Sequence, residues 1–425
     1  MYNYEVDGDK ADFDAAGKAW FHDILLDIFR KTGFAAEQRV AILLKNEGVD
    51  GVLDETEEIE SDWVTRVYFQ ELIATTDVND EEHKRILDQI DRQMDSDYEK
   101  AELLIYLSDH AGGTDKLLSD YVSVLKSLDS DYETRRVLSA IGIEREASKE
   151  NLIAIMELAD EMDSDYEKAE LLIEISRQCR GDAELTAAYT RACGRLDSDY
   201  ELRRVLDGLG RNAEMSEESL AEIISMAEMM DSDYEKAELL IEFSDKFRGN
   251  DKFQEQLLEA AGTLTSDYET RRVLEEFDID CRDEAELAEE MLHIASRMSS
   301  DYEKSQLLQN WADCARVSEA ALQNYLDAVD RISSDYERRQ VLDDLIQSGK
   351  VDESLALAII RISDGISSDY DRSQLLSDMI ELSPDTEKVQ TALEDAVESI
   401  SSDYERDKLY RKLYRKSRTE RGSGR

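Results

Sequence analysis

The side chains of this sequence that could bind or react recur together in a Ser-Asp-Tyr-Glu tetrad. Its tyrosines form a column of aromatic rings at a constant spacing along the chain. Such a column could line a groove that holds a peptide or a polymer, because aromatic rings are common anchors at binding surfaces. Alternatively, each ring packs between repeats against a neighbouring arginine, with its hydroxyl hydrogen-bonded. The candidate binding residues are Tyr98, Tyr132, Tyr166, Tyr200, Tyr234, Tyr268, Tyr302, Tyr336 and Tyr370, and the column continues to Tyr404.

Motifs of known catalytic sites do not occur in the sequence. It contains no GxxxxGK, no GxGxxG after a strand, no HExxH and no GxSxG. The four histidines fall in no repeated pattern; they are His22, His83, His110 and His293. With 101 acidic residues, a pair of carboxylates is no evidence for acid–base catalysis. The sequence therefore predicts a protein that is not an enzyme and that holds no metal or cofactor.

The composition is that of an all-helical protein. Only one proline and 18 glycines occur among 425 residues, and 41% of the residues are hydrophobic, enough for a core. The formal net charge of -50 disfavours direct binding of nucleic acid, because the surface would repel phosphates. An acidic surface instead suits a basic partner, divalent cations or imitation of nucleic acid. The sequence contains no run of eighteen apolar residues, so it predicts no membrane span. A cytoplasmic location is slightly favoured, and an envelope location is left open.

The tetrad marks an internal repeat. Ser-Asp-Tyr begins at evenly spaced positions, without a single insertion, at Ser96, Ser130, Ser164, Ser198, Ser232, Ser266, Ser300, Ser334, Ser368 and Ser402. A weaker copy, SDWVTRVYF, begins at Ser61. The tetrad predicts a capping box, in which Ser96 accepts from the backbone N–H of Glu99 and the Glu99 carboxylate reaches back.

Each repeat is predicted to contain two helices. In the copy that begins at Ser232, the first helix carries an apolar stripe of Leu239, Leu240 and Phe243. The second helix carries the i, i+4, i+7, i+8, i+11 stripe Phe253, Leu257, Ala260, Ala261 and Leu264. Such hairpins bury both helices only by stacking on their neighbours. The sequence therefore predicts an all-α fold, a right-handed α-solenoid of about eleven hairpins.

Two versions of the repeat alternate, so that the full period is a pair of hairpins, as from Ala101 to Ala169. The third residue after the tyrosine is small in one version and arginine in the next. The fourth residue alternates between glutamate and arginine, in the series Glu102, Arg136, Glu170, Arg204, Glu238 and Arg272. Equivalent positions of stacked repeats lie side by side, and a column of like charges would repel itself. The alternation therefore predicts an inter-repeat charge ladder, with Glu170 next to Arg136 or Arg204.

Four segments are predicted along the chain. Residues 1–34 form an N-terminal cap, a short β-hairpin around Asp7-Gly8 followed by a helix that ends near Gly33. Residues 35–95 are degenerate helical repeats, residues 96–401 are nine regular repeats, and residues 402–425 are a capping helix with a basic tail. The cysteines show no CxxC spacing, and Cys179 and Cys281 occupy a position where another repeat has Phe247, which suggests small buried hydrophobes.

The basic end of the chain has two interpretations. Residues 405–425 contain nine Lys or Arg against three acids. This segment is either a simple capping helix with a solvated tail, or it docks on the acidic body of another copy to form a homo-oligomer.

The 34-residue hairpin resembles the tetratricopeptide class in length and architecture, although that class's pattern of Trp, Gly, Tyr, Ala and Pro is absent. The repeats more closely resemble bacterial SDYEK-type helical-repeat proteins of largely uncharacterised function. In some of these, a segment similar to YEVDGDKADFDAAGKAW leads into the array, and envelope-associated proteins are among them. The resemblance implies an interaction solenoid and supplies no catalytic residues.

The predicted function is a non-enzymatic scaffold that presents an extended acidic surface to a protein partner, for which a basic protein is suited. Two alternatives remain open, an acidic mimic of nucleic acid that blocks a basic partner and a self-assembling structural subunit.

Overall fold

The chain divides into two compact units, residues 1–223 and 224–425. A computed structural model describes residues 4–111, 115–143, 147–179, 181–209, 215–247, 251–277, 281 and 283–423. Over these residues both units are built from helices, apart from one short β-hairpin in the first unit. The predicted all-α class is confirmed.

The first unit begins with the β-hairpin, whose strands β1 (Glu5–Val6) and β2 (Asp9–Lys10) are antiparallel around a turn at Asp7 and Gly8. Its helices are α1 (Ala15–Thr32), α2 (Ala36–Glu57), α3 (Asp62–Thr75), α4 (Asp80–Gln93), α5 (Asp97–Ala111), α6 (Asp115–Leu125), α7 (Asp131–Ile141), α8 (Lys149–Glu161), α9 (Asp165–Cys179), α10 (Ala183–Cys193) and α11 (Asp199–Leu209). Helix α12 (Glu217–Met229) contains the boundary between the units.

The second unit contains helices and one 3₁₀ turn (Cys314–Arg316). Its helices are α13 (Asp233–Phe247), α14 (Asp251–Gly262), α15 (Asp267–Glu275), α16 (Ala285–Arg297), α17 (Asp301–Asn310), α18 (Glu319–Asp330), α19 (Asp335–Gln347), α20 (Glu353–Ser363), α21 (Asp369–Leu382), α22 (Glu387–Glu398) and α23 (Asp403–Ser423).

Each unit is a stack of helical hairpins with two layers. The helices that begin at the tetrad, which we call A helices, pack on one another in chain order, for example α5 on α7 and α7 on α9. The helices that follow them, the B helices, form the second layer, for example α6 on α8 and α8 on α10. Because every hairpin packs mainly on its sequence neighbours, each unit has the architecture of an α-solenoid.

The core lies between the two layers, where the sequence predicts it. Leu239, Leu240 and Phe243 of α13 are buried, as are Phe253 and the next three members of the predicted α14 stripe. Three methionines at the equivalent of Leu264 are also buried; they are Met162, Met230 and Met298. The period-3.6 stripes of the two helices therefore meet in one continuous core within each unit.

The aspartate of the tetrad joins each repeat to the next. Asp131 Oδ2 accepts hydrogen bonds from the backbone N–H groups of Asp163, at 2.9 Å, and Ser164, at 2.7 Å. Eight further copies make the equivalent bonds, through Asp62, Asp97, Asp165, Asp233, Asp267, Asp301, Asp335 and Asp369. One carboxylate thus satisfies the two N–H groups that lead into the next A helix, in a charge-assisted contact. We call this contact the aspartate clasp.

Of the two hydrogen bonds in the predicted capping box, one forms and the other is replaced by the clasp. The serine half is right, since Ser96 Oγ accepts from the backbone N–H of Glu99 at 3.4 Å. The glutamate half is wrong, because the Ser96 N–H donates to Asp62 Oδ2 at 2.6 Å. The Glu99 carboxylate instead accepts from Arg66 of the preceding A helix at 2.5 Å. The acceptor for the Ser96 N–H is therefore an aspartate of the preceding repeat, and not the glutamate of the same tetrad.

The cysteines divide into two kinds. Cys179 and Cys193 are buried free thiols, and burial raises the pKa of Cys179 to about 12. The interpretation of Cys281 as a small buried hydrophobe is wrong, because Cys281 forms a disulfide with Cys314. The Cα atoms of this pair are 5.2 Å apart, an ordinary separation for a disulfide. The bond links consecutive repeats of the second unit, since its cysteines are 33 residues apart.

Removal of one clasp should weaken the stack. We expect Asp131→Ala to lower the free energy of unfolding by about 1–2 kcal/mol, because two N–H groups lose a charged acceptor. Exposed Asp129, which precedes the tetrad at Ser130, provides the matched control, since Asp129→Ala removes the same charge from the same turn. Urea unfolding followed by circular dichroism measures both variants. Equal stability of the two would contradict the role assigned to the clasp.

Reduction of the disulfide should destabilise the second unit. The closed loop of 33 residues predicts a loss of about 2–4 kcal/mol on reduction. A Cys281→Ser/Cys314→Ser double variant should match the reduced protein and show no further response to reductant. Thiol titration in denaturant without reductant should find two free thiols, those of Cys179 and Cys193. A count of four would show that the bond does not form.

Candidate interaction surface

The tyrosines of the tetrad lie on the surface of the A-helix layer. The nine predicted rings are 51% to 62% exposed, and Tyr404 is 76% exposed. Trp63 occupies this position in the weaker copy that begins at Ser61 and is also exposed. We call the exposed side of the A helices, with these rings, the tyrosine face, and each unit carries its own part of it. The rings are therefore not buried between repeats.

Arginines flank the rings on the tyrosine face. The Arg136 guanidinium lies 5.9 Å from the centroid of Tyr98, which belongs to the preceding repeat. Arg135 lies 5.8 Å from the ring of Tyr132 within its own helix. In the second unit, Arg271 and Arg272 lie 5.5 and 5.9 Å from the ring of Tyr268. These distances are in the cation–π range, and arginines also lie over the rings of Tyr200 and Tyr336. On these rings the arginine covers one side and leaves the remaining surface to solvent.

The glutamates and arginines of the charge ladder form ion pairs between successive A helices. Arg204 contacts Glu170 at 2.6 Å, Arg272 contacts Glu238 at 2.5 Å, and Arg136 also pairs with Glu102. The hydrogen bond to Glu170 is the main reason that the pKa of Arg204 is raised.

The ladder differs from the predicted alternation in one respect. Each arginine pairs with the glutamate of the repeat before it and not with that of the repeat after it. Arg136, for example, makes its second contact with Glu133 of its own tetrad, at 2.6 Å, and not with Glu170. The alternation thus produces separate pairs and not an unbroken chain of charges.

The tetrad glutamates complete the network. Where the preceding repeat has arginine three residues after its tyrosine, that arginine binds the next tetrad, as in Arg135 with Glu167 and Arg271 with Glu303 at 2.5 Å. Where that residue is serine, its hydroxyl donates instead, as from Ser373 Oγ to Glu405 at 2.7 Å. Ser, Asp and Glu of the tetrad are therefore occupied within the stack, while the tyrosine ring stays half-exposed.

A column of buried lysines was missed by the sequence reasoning. Lys100, Lys168, Lys236 and Lys304, the last letter of SDYEK, are all buried. The Lys236 ammonium donates to Thr263 Oγ1 at 3.1 Å and to the carbonyl of Glu228 at 3.4 Å, at the ends of two B helices. Positive charge is stabilised at helix C-termini. The signal was present, because lysine occurs at this position in every second repeat from Lys100 to Lys304.

One carboxylate beside the tyrosine face has an unusual environment. Asp343 Oδ2 contacts Arg339 at 2.6 Å, whereas Asp343 Oδ1 is buried without a hydrogen-bond partner among the described residues. Burial raises the pKa of Asp343 to about 6, and the nearby carboxylate of Asp378 adds to the rise while Arg339 opposes it. The Arg339 guanidinium also binds Asp371 at 3.0 Å, so the carboxylates of Asp343 and Asp371 share one positive charge.

The described residues contain no cluster of three or more His, Cys, Asp or Glu side chains that is arranged to hold a metal ion. Within the same parts of the chain, none of the helices has the length and apolar character needed to cross a membrane. His83, one of the four scattered histidines, is buried 3.0 Å from the Tyr121 hydroxyl, and burial lowers its pKa.

Together, the stacked hairpins and the repeated tetrad define each unit as a tandem-repeat α-solenoid. No family model matches the chain, and no curated protein matches it.

Three solved structures show low similarity. An engineered protein from the Northeast Structural Genomics Consortium is 15% identical, with 96% of each chain covered and a TM-score of 0.22. A circular tandem repeat protein with novel repeat topology and enhanced subunit contact surfaces is 17% identical over 96% of this chain and 92% of its own, with a TM-score of 0.16. A computationally designed self-assembling cyclic homooligomer is 14% identical over 86% of this chain and 99% of its own, with a TM-score of 0.11. The fold assignment rests on the helices described above.

The raised pKa of Asp343 predicts a pH-dependent stability difference. The folded-state pKa is about 6 and the unfolded value is near 4, so between these values the folded state binds the proton more tightly. The stability contributed by this group is therefore present at low pH and is lost as the pH rises through 6. Relative to wild type, Asp343→Asn should gain about 1–2 kcal/mol between pH 4 and pH 7.

The exposed Asp330→Asn variant, which removes the same charge from the same unit, serves as the control. Urea unfolding of the three proteins across this pH range measures the difference. The difference in the free energy of unfolding between wild type and Asp343→Asn should change with pH. A constant difference would contradict the environment described for Asp343.

Proposed function

We propose that the tyrosine face is a binding surface for an extended, basic segment of a partner protein, and that the solenoid is the scaffold that presents it. The single observation that carries the proposal is the division of roles within the tetrad. Ser, Asp and Glu each bond within the stack, whereas the tyrosine ring is half-exposed in every copy. A ring that is kept at every repeat and left in solvent is available for contact with a partner.

The chemistry of the face favours a cationic partner. Tyrosine rings bind lysine and arginine side chains through cation–π contacts. The arginines on the face are already paired with glutamates, so they offer little free positive charge to an anion. The net charge of -50 would in addition steer a basic partner toward the protein.

The spacing of the face favours an extended segment. Neighbouring helices pack about 8–10 Å apart, and an extended chain advances about 3.3 Å per residue. Successive rings within one unit therefore match about every third residue of an extended partner.

A defined peptide selection tests this function. Peptides selected from a random library on the wild-type protein should contain Arg or Lys at about every third position. For the selected peptides, the triple variant Tyr98→Ala/Tyr132→Ala/Tyr166→Ala should raise the Kd at least tenfold, since three ring contacts are lost, each of about 0.5–1 kcal/mol or more. The matched triple variant with Phe should bind within about threefold of wild type, because it keeps the rings.

Two results would contradict the proposal. One is a set of peptides whose binding does not change in the alanine triple variant, and the other is the absence of any selected binder. The alternative function as a mimic of nucleic acid predicts a different result. In that case, a basic nucleic-acid-binding protein would be displaced by duplex DNA and would bind the alanine triple variant normally.

A further inference from the structure

Helix α1, at the N-terminal end of the first unit, has an apolar surface that the rest of its unit leaves uncovered. Gly17 is its only buried residue. Trp20, Phe21 and Ile28 are 53%, 46% and 41% exposed. The ring contacts of the first two come from the segment that precedes the helix, from Tyr4 to Trp20 and from Phe13 to Phe21. An exposed apolar patch of this kind marks an interaction site in a soluble protein.

The apolar residues of α1 have the spacing of a B helix. In α22, the stripe Val389, Leu393, Ala396, Val397 and Ile400 follows the i, i+4, i+7, i+8, i+11 pattern, and all five residues are buried. In α1 the same pattern runs through Gly17, Phe21, Ile24, Leu25 and Ile28. Helix α1 thus carries the surface that a B helix buries. Tyr4 and Phe13 cover this surface at Gly17, whereas Phe21 and Ile28 stay exposed.

A groove of about 750 Å³ lies between α22 and α23, at the end of the second unit. Its apolar lining includes Leu393 of α22 and Tyr410, Leu413 and Tyr414 of α23. One repeat earlier, α22 itself packs against the corresponding pair, α20 and α21. The groove therefore lies where the next B helix of the stack would pack, and within the described residues no helix covers it.

The repeat register shows how open this groove is. Tyr410, Leu413 and Tyr414 are equivalent to Leu376, Met379 and Ile380 of α21, one repeat earlier. Those three side chains are fully buried by their hairpin. In α23, Tyr410 is 41% and Tyr414 is 63% exposed. Within the described residues, helix α23 thus presents the apolar face that α22 covers on α21.

The two ends also differ in charge. Helix α1 itself carries three Lys or Arg residues against two Asp residues. The charged lining of the groove consists of Lys416 and four acids, Asp385, Glu394, Asp395 and Glu398, so the acidic α22 side of the groove suits the weakly basic helix.

We propose that α1 of one copy docks in the α22–α23 groove of a second copy and takes the place of the next B helix. This contact is heterologous, because each copy contributes a different surface. It therefore links copies head to tail, into chains or rings. It does not depend on the tyrosine face, which lies on the A-helix layer.

The experiment uses one variant for each surface. Phe21→Asp places a charge on the α1 stripe, and Tyr410→Asp places one in the groove. Each change should raise the dissociation constant for self-association at least tenfold, as for a buried aromatic contact. The matched controls are Phe34→Asp, outside α1, and Tyr404→Asp, on the tyrosine face, since both side chains are exposed. Sedimentation velocity over a wide concentration range measures the association, and circular dichroism verifies the fold.

Mixing the two variants distinguishes this arrangement from any other self-association. Each variant alone should be a monomer, because every head-to-tail contact needs one intact α1 and one intact groove. The equimolar mixture should form a 1:1 heterodimer and nothing larger, since it contains only one compatible pair of surfaces. The proposal is overturned if the wild-type protein is monomeric at every concentration, if either single variant assembles like the controls, or if the mixture stays monomeric.

Discussion

The aspartate clasp is the contact on which the regular stacking depends. A helix start leaves backbone N–H groups without partners, and most proteins satisfy them with residues from the same helix. Here, the carboxylate of the preceding repeat accepts hydrogen bonds from the N–H groups of the two residues that lead into the helix, Asp163 and Ser164 in one example. The start of each A helix is therefore completed only when its neighbour is in place. Repeat length and stacking geometry are coupled by this one side chain, in agreement with ten tetrads that follow one another without an insertion.

The clasp also explains why so short a motif is retained in full. Ser96 caps its own helix, Asp97 closes the next one, and Glu99 binds the arginine of the helix before it. Asp and Glu of the tetrad thus contact neighbouring repeats, one in each direction, and Ser caps the helix to which it belongs. The tyrosine alone faces solvent, and in copies such as Tyr98 its ring lies against an arginine that is itself paired with a glutamate. The same few residues that set the spacing of the repeats therefore set the spacing of the exposed rings.

The sequence predicted most of the architecture, because helical periodicity and a constant repeat length are local and regular signals. The stripes of α13 and α14, the methionines of the core and the serine caps all follow from them. The clasp could not be recognised in the same way. An aspartate in the first turn of a helix is already explained by the helix dipole, and only the stacked structure shows its carboxylate on another repeat. The Cys281–Cys314 bond carried a usable signal, since a separation of 33 residues is close to the repeat length. The exposure of the tyrosines depends on how closely the A helices pack, which periodicity does not determine.

The pairing of Arg135 and Arg136 with their neighbours has a consequence for how such an array changes length. The arginine-rich version of the repeat finds its partners in the glutamate-rich version on either side, through Glu102 before it and Glu167 after it. Duplication or loss of a single hairpin would bring two versions of the same kind together, either two arginine-rich or two glutamate-rich, and would place like charges side by side. Duplication or loss of two hairpins keeps every pair intact. The array is thus expected to grow and shrink by two hairpins at a time, so the pair of hairpins is the unit that is duplicated or lost.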